Sequence, residues 1–188
     1  MHDLSPLCAL EEPDPQVITF GGVTLTENPG LALASVSARK GHADACRAHL
    51  GDLLESPAPE PGKTVLHDPE ASFWMGPDQW MVGAPIATHE DLAAQLVARF
   101  GDTASITEQT DGWVCFDMRG DGVEAVMQLC CNVDIEQMQT GDAQRTVIHY
   151  MGVYVLRRDP ANWLRILGPR SSAGSLHHAL VTAMKTAL

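Results

Sequence analysis

Lysine is scarce in this chain: Lys40, Lys63 and Lys185 are the only three. Basic residues number 12 against 24 acidic ones, so the formal net charge is -12. Such a surface repels phosphate backbones and anionic lipid, which excludes nucleic acid and membrane as expected partners. Long apolar runs are missing too. None approaches the roughly 20 residues that a membrane-spanning helix needs. The opening stretch from Met1 to Pro6 has no basic cluster followed by an apolar segment, so no secretory signal is expected. Paired cysteines are also lacking. Cys8, Cys46, Cys115, Cys130 and Cys131 are odd in number and include no C-x-x-C pair. Neither a disulfide framework nor a zinc ribbon is indicated, and reduced thiols in a cytoplasmic protein are the expectation.

What is present is an ordinary globular balance, 45% hydrophobic and 19% charged. A chain of 188 residues should bury about 70% of its unfolded surface. Residues 1–15 hold Pro6, Pro13 and Pro15 with Glu11, Glu12 and Asp14, and read as an extended N-terminal arm. Residues 16–188 read as a single domain of two merged subdomains. A proline-rich loop at 56–62 interrupts it, with Pro57, Pro59 and Pro61 excluding helix and central strand. That loop is expected to be a solvated connection.

Local patterns give the elements. Val17 to Thr26 is strand-like, broken by a turn at Gly21-Gly22, and Leu31 to Val36 is another strand. Gly41 to Leu50 is a short helix with Ala45, Cys46 and Leu50 on one side. Phe73 to Val82 is a hairpin about a type I turn at Pro77-Asp78. The next helix is expected to be capped by Thr88 with Asp91, and carries Leu92, Leu96, Val97 and Phe100 on one face up to Gly101. Ala104 to Gln109 and Trp113 to Met118 are expected to pair around Asp111-Gly112. A helix opened by Asp121 and supported by Glu124 aligns Val123, Val126, Met127 and Cys130. Gln144 to Arg157 is a long strand or a strand pair, apolar on both faces, and Trp163 to Leu167 is a short strand. The last helix, 172–186, has a stripe through Leu176, Leu180 and Met184. The order is α+β, with mostly antiparallel sheets and about four helices.

A convergent reactive set is not found. His177 and His178 are adjacent, so a helix points them about 100° apart, too far to share one ion. His149 is expected to be a buried strand histidine. Cys130 fits a helix stripe as a small hydrophobe. Gly120-Asp121-Gly122 is a turn into a helix rather than a phosphate cradle. Asp117 alternates with apolar neighbours and is expected to face solvent. No catalytic, cofactor or metal residue is assigned. Trp74, Met75, Trp80 and Met81 alternate across the hairpin, where some must enter the core. They are the candidate partner-interface residues, because any left exposed would make good anchors.

Phe73-Trp74-Met75-Gly76-Pro77-Asp78-Gln79-Trp80-Met81 resembles the W-L-G-P-D-E-W-L hairpin of the sarcosine oxidase gamma subunit family. Ile106 to Trp113 resembles that family's V-T-D-Q-S-D-G stretch. Met118-Arg119-Gly120, Val126 to Cys130, and Val133-Asp134 resemble a further segment of it. The resemblance implies a fold of duplicated β-β-α-β-β-β-α units, like the folate-binding domain of aminomethyltransferases. It implies a cytoplasmic heterotetramer with alpha, beta and delta partner subunits. That assembly oxidises sarcosine with oxygen to glycine and hydrogen peroxide, and passes the one-carbon unit to tetrahydrofolate. FAD, FMN and NAD would sit on the alpha and beta subunits and zinc on the delta subunit, with none on this chain. The K-G-C-Y-x-G-Q-E motif of relatives that assemble iron–sulfur proteins has no counterpart; Arg39-Lys40-Gly41-His42 is the nearest string.

Three functions are consistent with this sequence. One is a non-catalytic structural subunit of a flavin amine oxidase. Another is a stand-alone folate-binding or one-carbon-transfer protein, which needs an acid beside the folate's reactive nitrogens and a deep pocket. The third is an adaptor for some other dehydrogenase complex.

Overall fold

Gly21 and Gly22 take φ values of 52° and 86°, the left-handed pair that a two-residue hairpin needs. They separate β1 (Val17–Phe20) from β2 (Val23–Glu27), where the sequence places the break. The chain continues through β3 (Leu31–Ala38), α1 (Ala43–Leu54), β4 (Thr64–Val65), β5 (Ala71–Gly76), β6 (Gln79–Pro85) and α2 (Leu92–Phe100). It then runs through β7 (Ala104–Glu108), β8 (Trp113–Arg119), α3 (Val123–Cys130), β9 (Ala143–Ile148), β10 (Met151–Asp159), β11 (Trp163–Pro169) and α4 (Ala173–Ala187). This is a computed structural model, and it describes residues 7–67, 69–159 and 162–188.

The described elements from β2 to α2 read β-β-α-β-β-β-α, and those from β7 to α4 read the same. The α+β order with antiparallel sheets and four helices expected from the sequence is therefore present, and so is the duplication that the family resemblance implies. The pairing adds an exchange. The first strand of each repeat joins the sheet of the other: β2 pairs with β8, and β7 pairs with β3. Two compact units result. One takes the described residues through Pro29, with Asp111–Thr140 and Gln144–Leu188; the other takes Gly30–Thr110 and Gly141–Ala143.

In the first unit the six-stranded sheet runs β1-β2-β8-β11-β10-β9. Its core face carries Val23, Phe116, Met118 and Ile166, packed with Val126, Leu176 and Leu180 of α3 and α4. In the second unit the five-stranded sheet runs β4-β5-β6-β3-β7. Its core joins Val36, Trp80 and Val82 to Leu50 and Leu54 of α1 and to Leu96 and Phe100 of α2.

Several local expectations give way to tertiary structure. The strands at 104–109 and 113–118 do not form a hairpin. β7 lies along β3, with Ala34 opposite Glu108, while β8 lies between β2 and β11. Thr110–Gly112 form a 3-10 turn instead. Thr110 N–H donates to Glu108 Oε1 at 2.8 Å, and Leu33 N–H donates to Thr110 Oγ1 at 3.0 Å. These bonds end β7 on its own sheet, so an Asp-Gly pair here marks a change of sheet. Asp78 takes φ 53°, which the third position of a type I turn does not use.

Neither expected helix cap forms. Thr88 Oγ1 bonds the Pro85 carbonyl at 3.3 Å, and α2 starts only after Asp91. Glu124 accepts instead from Arg157 at 3.3 Å. Val97 is exposed, while Leu92, Leu96 and Phe100 are buried. The stretch from 144 to 157 is a strand pair, β9 and β10, turned at His149 and Tyr150 with φ 46° and 67°. His149 is therefore an exposed turn residue, and the buried strand position expected for it rested on an unbroken strand.

Of the arm expected at 1–15, residues 7–15 are described and do not run straight. They turn, with Cys8 N–H donating to the Glu12 carbonyl at 2.9 Å. The buried Glu27 carboxylate accepts from Leu10 N–H at 3.1 Å and from Gln16 N–H at 3.3 Å, fixing the segment to its own unit. The loop at 56–62 has no regular structure, as expected, yet it is not merely solvated. Ala58 and Pro59 are buried.

Candidate functional site

The hairpin of β5 and β6 carries the four candidate interface residues. Trp80 is 0% exposed. Its indole Nε1 donates to the Pro59 carbonyl at 2.9 Å, so the proline-rich loop satisfies the one polar atom of a core aromatic. The Arg47 guanidinium lies 5.0 Å from the ring centroid. That guanidinium also pairs with Asp78 at 3.3 Å and with Glu60 at 3.2 Å. The Gly-Pro-Asp turn thus supplies the carboxylate that holds Arg47 over Trp80. Met81 points to the other face of β6 and is equally buried.

Trp80 and Met81 therefore have no surface to present, and the interface expectation fails for both. The core needed them: β6 is an inner strand, flanked by β3 and β5, and both of its faces are covered along that stretch. Trp74 and Met75 keep partial exposure on β5.

A second polar cluster lies on the face of the six-stranded sheet opposite its helices. Asp117 on β8 is buried, not solvent-facing. Arg165 on the adjacent β11 stands directly across from it. Arg165 Nε and Nη2 donate to the two carboxylate oxygens at 2.8 and 2.9 Å, and Asn28 Nδ2 donates to Oδ2 at 2.9 Å. Burial pushes the Asp117 carboxyl up. The hydrogen bonds and charge of Arg165, with Asn28, outweigh that and hold it below its ordinary value. One row further along the same strands, the Arg119 guanidinium stacks 3.7 Å from the Trp163 ring centroid. Sequence parity missed Asp117 because its apolar alternates suggested one wet face. The readable signal was Trp163-Leu164-Arg165-Ile166-Leu167, where an arginine interrupts a run that is apolar on both parities.

Reactive chemistry is not assembled from these groups. Burial raises the thiol of Cys46 to about 11, of Cys115 to about 12 and of Cys130 to about 12, so all three stay protonated and unreactive near neutrality. Among the described residues no group of three or more His, Cys, Asp and Glu side chains could hold a metal ion. A cleft of about 650 Å³ is lined by Cys8, Leu10, Asp111, Arg170 and Ser171 near the start of α4. Arg170 already donates to the Leu7 carbonyl at 3.1 Å.

A reduced folate would need a free carboxylate inside a pocket. The two buried acids among the described residues are Glu27 and Asp117. Both have their oxygens occupied by structural donors. Neither of these two buried carboxylates is free to meet such a ligand.

No protein-family model matches the sequence. No curated protein matches it either. Solved structures do match the fold. A chain of heterotetrameric sarcosine oxidase from Corynebacterium sp. U-96, solved in complex with pyrrole 2-carboxylate, superposes with a TM-score of 0.77 at 20% identity, over 91% of this chain and 88% of that one. The glycine cleavage system aminomethyltransferase T from Bartonella henselae gives a TM-score of 0.64 at 13% identity. That match covers 87% of this chain but only 46% of the aminomethyltransferase, so this chain spans under half of its length. At these identities the likeness establishes a shared fold.

Proposed function

We propose that this chain is the gamma subunit of a heterotetrameric sarcosine oxidase and acts there as a structural, non-catalytic component. The carrying observation is the superposition on a chain of such an oxidase at a TM-score of 0.77, nearly end to end for both chains. The Gly76-Pro77-Asp78 hairpin with its flanking tryptophans, which resembles that family's motif, supports the same reading. Alpha, beta and delta subunits are the proposed partners. FAD, FMN and NAD belong to the alpha and beta subunits and zinc to the delta subunit in this proposal. Its compartment is the cytoplasm. Trp74 and Met75, half-buried on β5, are the proposed partner-facing residues of the hairpin.

A flavoenzyme assembly of this kind takes two electrons from the N-methyl amine and passes them to oxygen as peroxide. Nothing in that sequence requires a group from this chain. Its contribution is shape: two cores, each closed by internal polar clamps, that hold a surface in place.

The test is purification of the tagged full chain from its own host under gentle conditions. Flavin absorbance, copurifying large, medium and small chains, and sarcosine-dependent hydrogen peroxide are the expected results. A colourless chain without partners overturns the proposal. The likeness to aminomethyltransferase T favours a second reading, a stand-alone folate-binding or one-carbon-transfer protein. Tetrahydrofolate binding by the purified lone chain is the measurement that separates the two.

A further inference from the structure

Four strands form the sheet edges, and they differ in protection. β4 is two residues long. β7 ends in Glu108, and β9 carries Arg145. Short length and charge are the usual devices that keep an edge from pairing with another chain. β1 is the exception. Its four residues, Val17-Ile18-Thr19-Phe20, include no charge and no proline, and Val17 and Phe20 are both exposed.

The register shows which backbone groups are free. Glu27 N–H donates to the Gln16 carbonyl at 2.8 Å, which makes Gln16 and Glu27 a hydrogen-bonded pair. Alternation along an antiparallel ladder then turns Ile18 and Phe20 toward β2. The N–H and C=O groups of Val17 and Thr19 point away from the sheet. Among the described residues no strand lies beyond β1. A cleft of about 290 Å³ adjoins the start of this edge, lined by Glu12, Pro13, Asp14, Pro15, Gln16 and Val17.

We infer that β1 is a strand-addition site, and that its occupant is an extended, basic segment of a partner protein. The four outward groups of Val17 and Thr19 supply the ladder. The carboxylates of Glu12 and Asp14 receive a lysine or arginine at the end of the added strand. A second copy of this chain is disfavoured as occupant, because it would bring another body of net charge -12 to the same edge. The inference stands apart from the subunit proposal, since it concerns the chemistry of the edge and not the identity of the assembly.

The experiment uses the purified full chain and two synthetic hexapeptides. One is Lys-Val-Thr-Val-Thr-Lys; its twin carries glutamate in place of both lysines. Amide resonances and hydrogen exchange report on Val17 and Thr19. The basic peptide is expected to shift both amides saturably and to slow their exchange, with the acidic twin at least about tenfold weaker. Thr19→Pro removes an outward N–H without taking a backbone bond from the β1–β2 ladder, a place where an edge strand tolerates proline, though it gives up the Thr19–Thr24 hydroxyl contact of 2.9 Å. It should leave amides away from Thr19 and Thr24 unmoved and weaken the basic peptide by about tenfold or more. Val17→Pro repeats the test at the second outward position. Failure of Val17 and Thr19 to respond at millimolar peptide overturns the inference. Equal affinity for the two peptides overturns the basic character of the partner. A mass that doubles with concentration in the absence of peptide, and returns to the single chain in Thr19→Pro, would make a second copy the occupant and also overturn it.

Discussion

The two repeats place the same strands in the same register and fill them differently. β3 starts opposite the proline that ends β6, Leu31 against Pro85, and β8 starts opposite the proline that ends β11, Trp113 against Pro169. Counting inward from those pairs, Ser35–Met81 in one repeat occupies the place of Asp117–Arg165 in the other. On the core face, Val36–Trp80 matches Met118–Leu164, and Ala34–Val82 matches Phe116–Ile166. Bulk is traded across the strands: the repeat with a tryptophan on β6 keeps an alanine and a valine on β3, while the repeat with leucine on β11 puts phenylalanine and methionine at the matching places on β8. On the opposite face one repeat buries a methionine and the other a complete ion pair. A shared backbone therefore fixes where side chains meet, and leaves open whether they meet by packing or by charge.

Removing Trp80 should break the comparison most severely. Trp80→Ala empties the centre of one core and orphans the Pro59 carbonyl, and should cost about 3–5 kcal/mol of stability. Urea unfolding of the isolated chain checks this. An unchanged midpoint together with lost assembly would return Trp80 to the interface.

Next comes the ion pair. Arg165→Met leaves Asp117 buried without its partner, and should cost about 3 kcal/mol or more. Adding Asp117→Ser installs the pair that the other repeat uses. The double variant should then recover to within about 1–2 kcal/mol of the parent, since an uncharged pair replaces a buried ionic one and no unpaired charge is left inside. Thermal unfolding of the three proteins tests whether the two solutions are interchangeable.

Acid sharpens the same contrast. The folded-state value of Asp117 lies below its unfolded one. Its contribution to stability is thus present above the unfolded carboxylate value of about 3.9 and is lost as pH falls through the folded value. The double variant should show a flatter loss of stability below about pH 4 than the parent, which acid titration followed by circular dichroism would measure.

The smallest effect belongs to the β9–β10 turn. His149 and Tyr150 both sit at positive φ, where Asn-Gly is the preferred pair. His149→Asn with Tyr150→Gly should raise stability by about 1 kcal/mol, read as a small rise in the urea midpoint.

Most strands and helices were legible because their periodicity is local. The hairpins at Gly21-Gly22 and Pro77-Asp78 and the stripe of α4 follow from residues close in sequence. Long-range choices were not legible. Asp111-Gly112 carries the same local signal as a hairpin turn, and only the partners of β7 and β8 reveal that the chain changes sheets there. The repeat itself hid for a related reason. Pro85 and Pro169 mark equivalent strand ends, but Ser35 and Asp117, or Met81 and Arg165, share no chemistry that a residue-by-residue comparison would align. The polar clamps were hidden because Arg47, Asp78 and Trp80, like Asn28, Asp117 and Arg165, meet only after folding. At the hairpin, the sequence left core and interface open for Trp80 and Met81, and burial of both faces of β6 decides for the core.

The role proposed for this chain is that of a subunit in a sarcosine-oxidising flavoenzyme. Native mass spectrometry of the tagged chain, taken directly from its host, tests that most directly. The expected result is one assembly holding a single copy of this chain with three different partners and bound flavin. A lone chain, or an assembly without flavin, would contradict it.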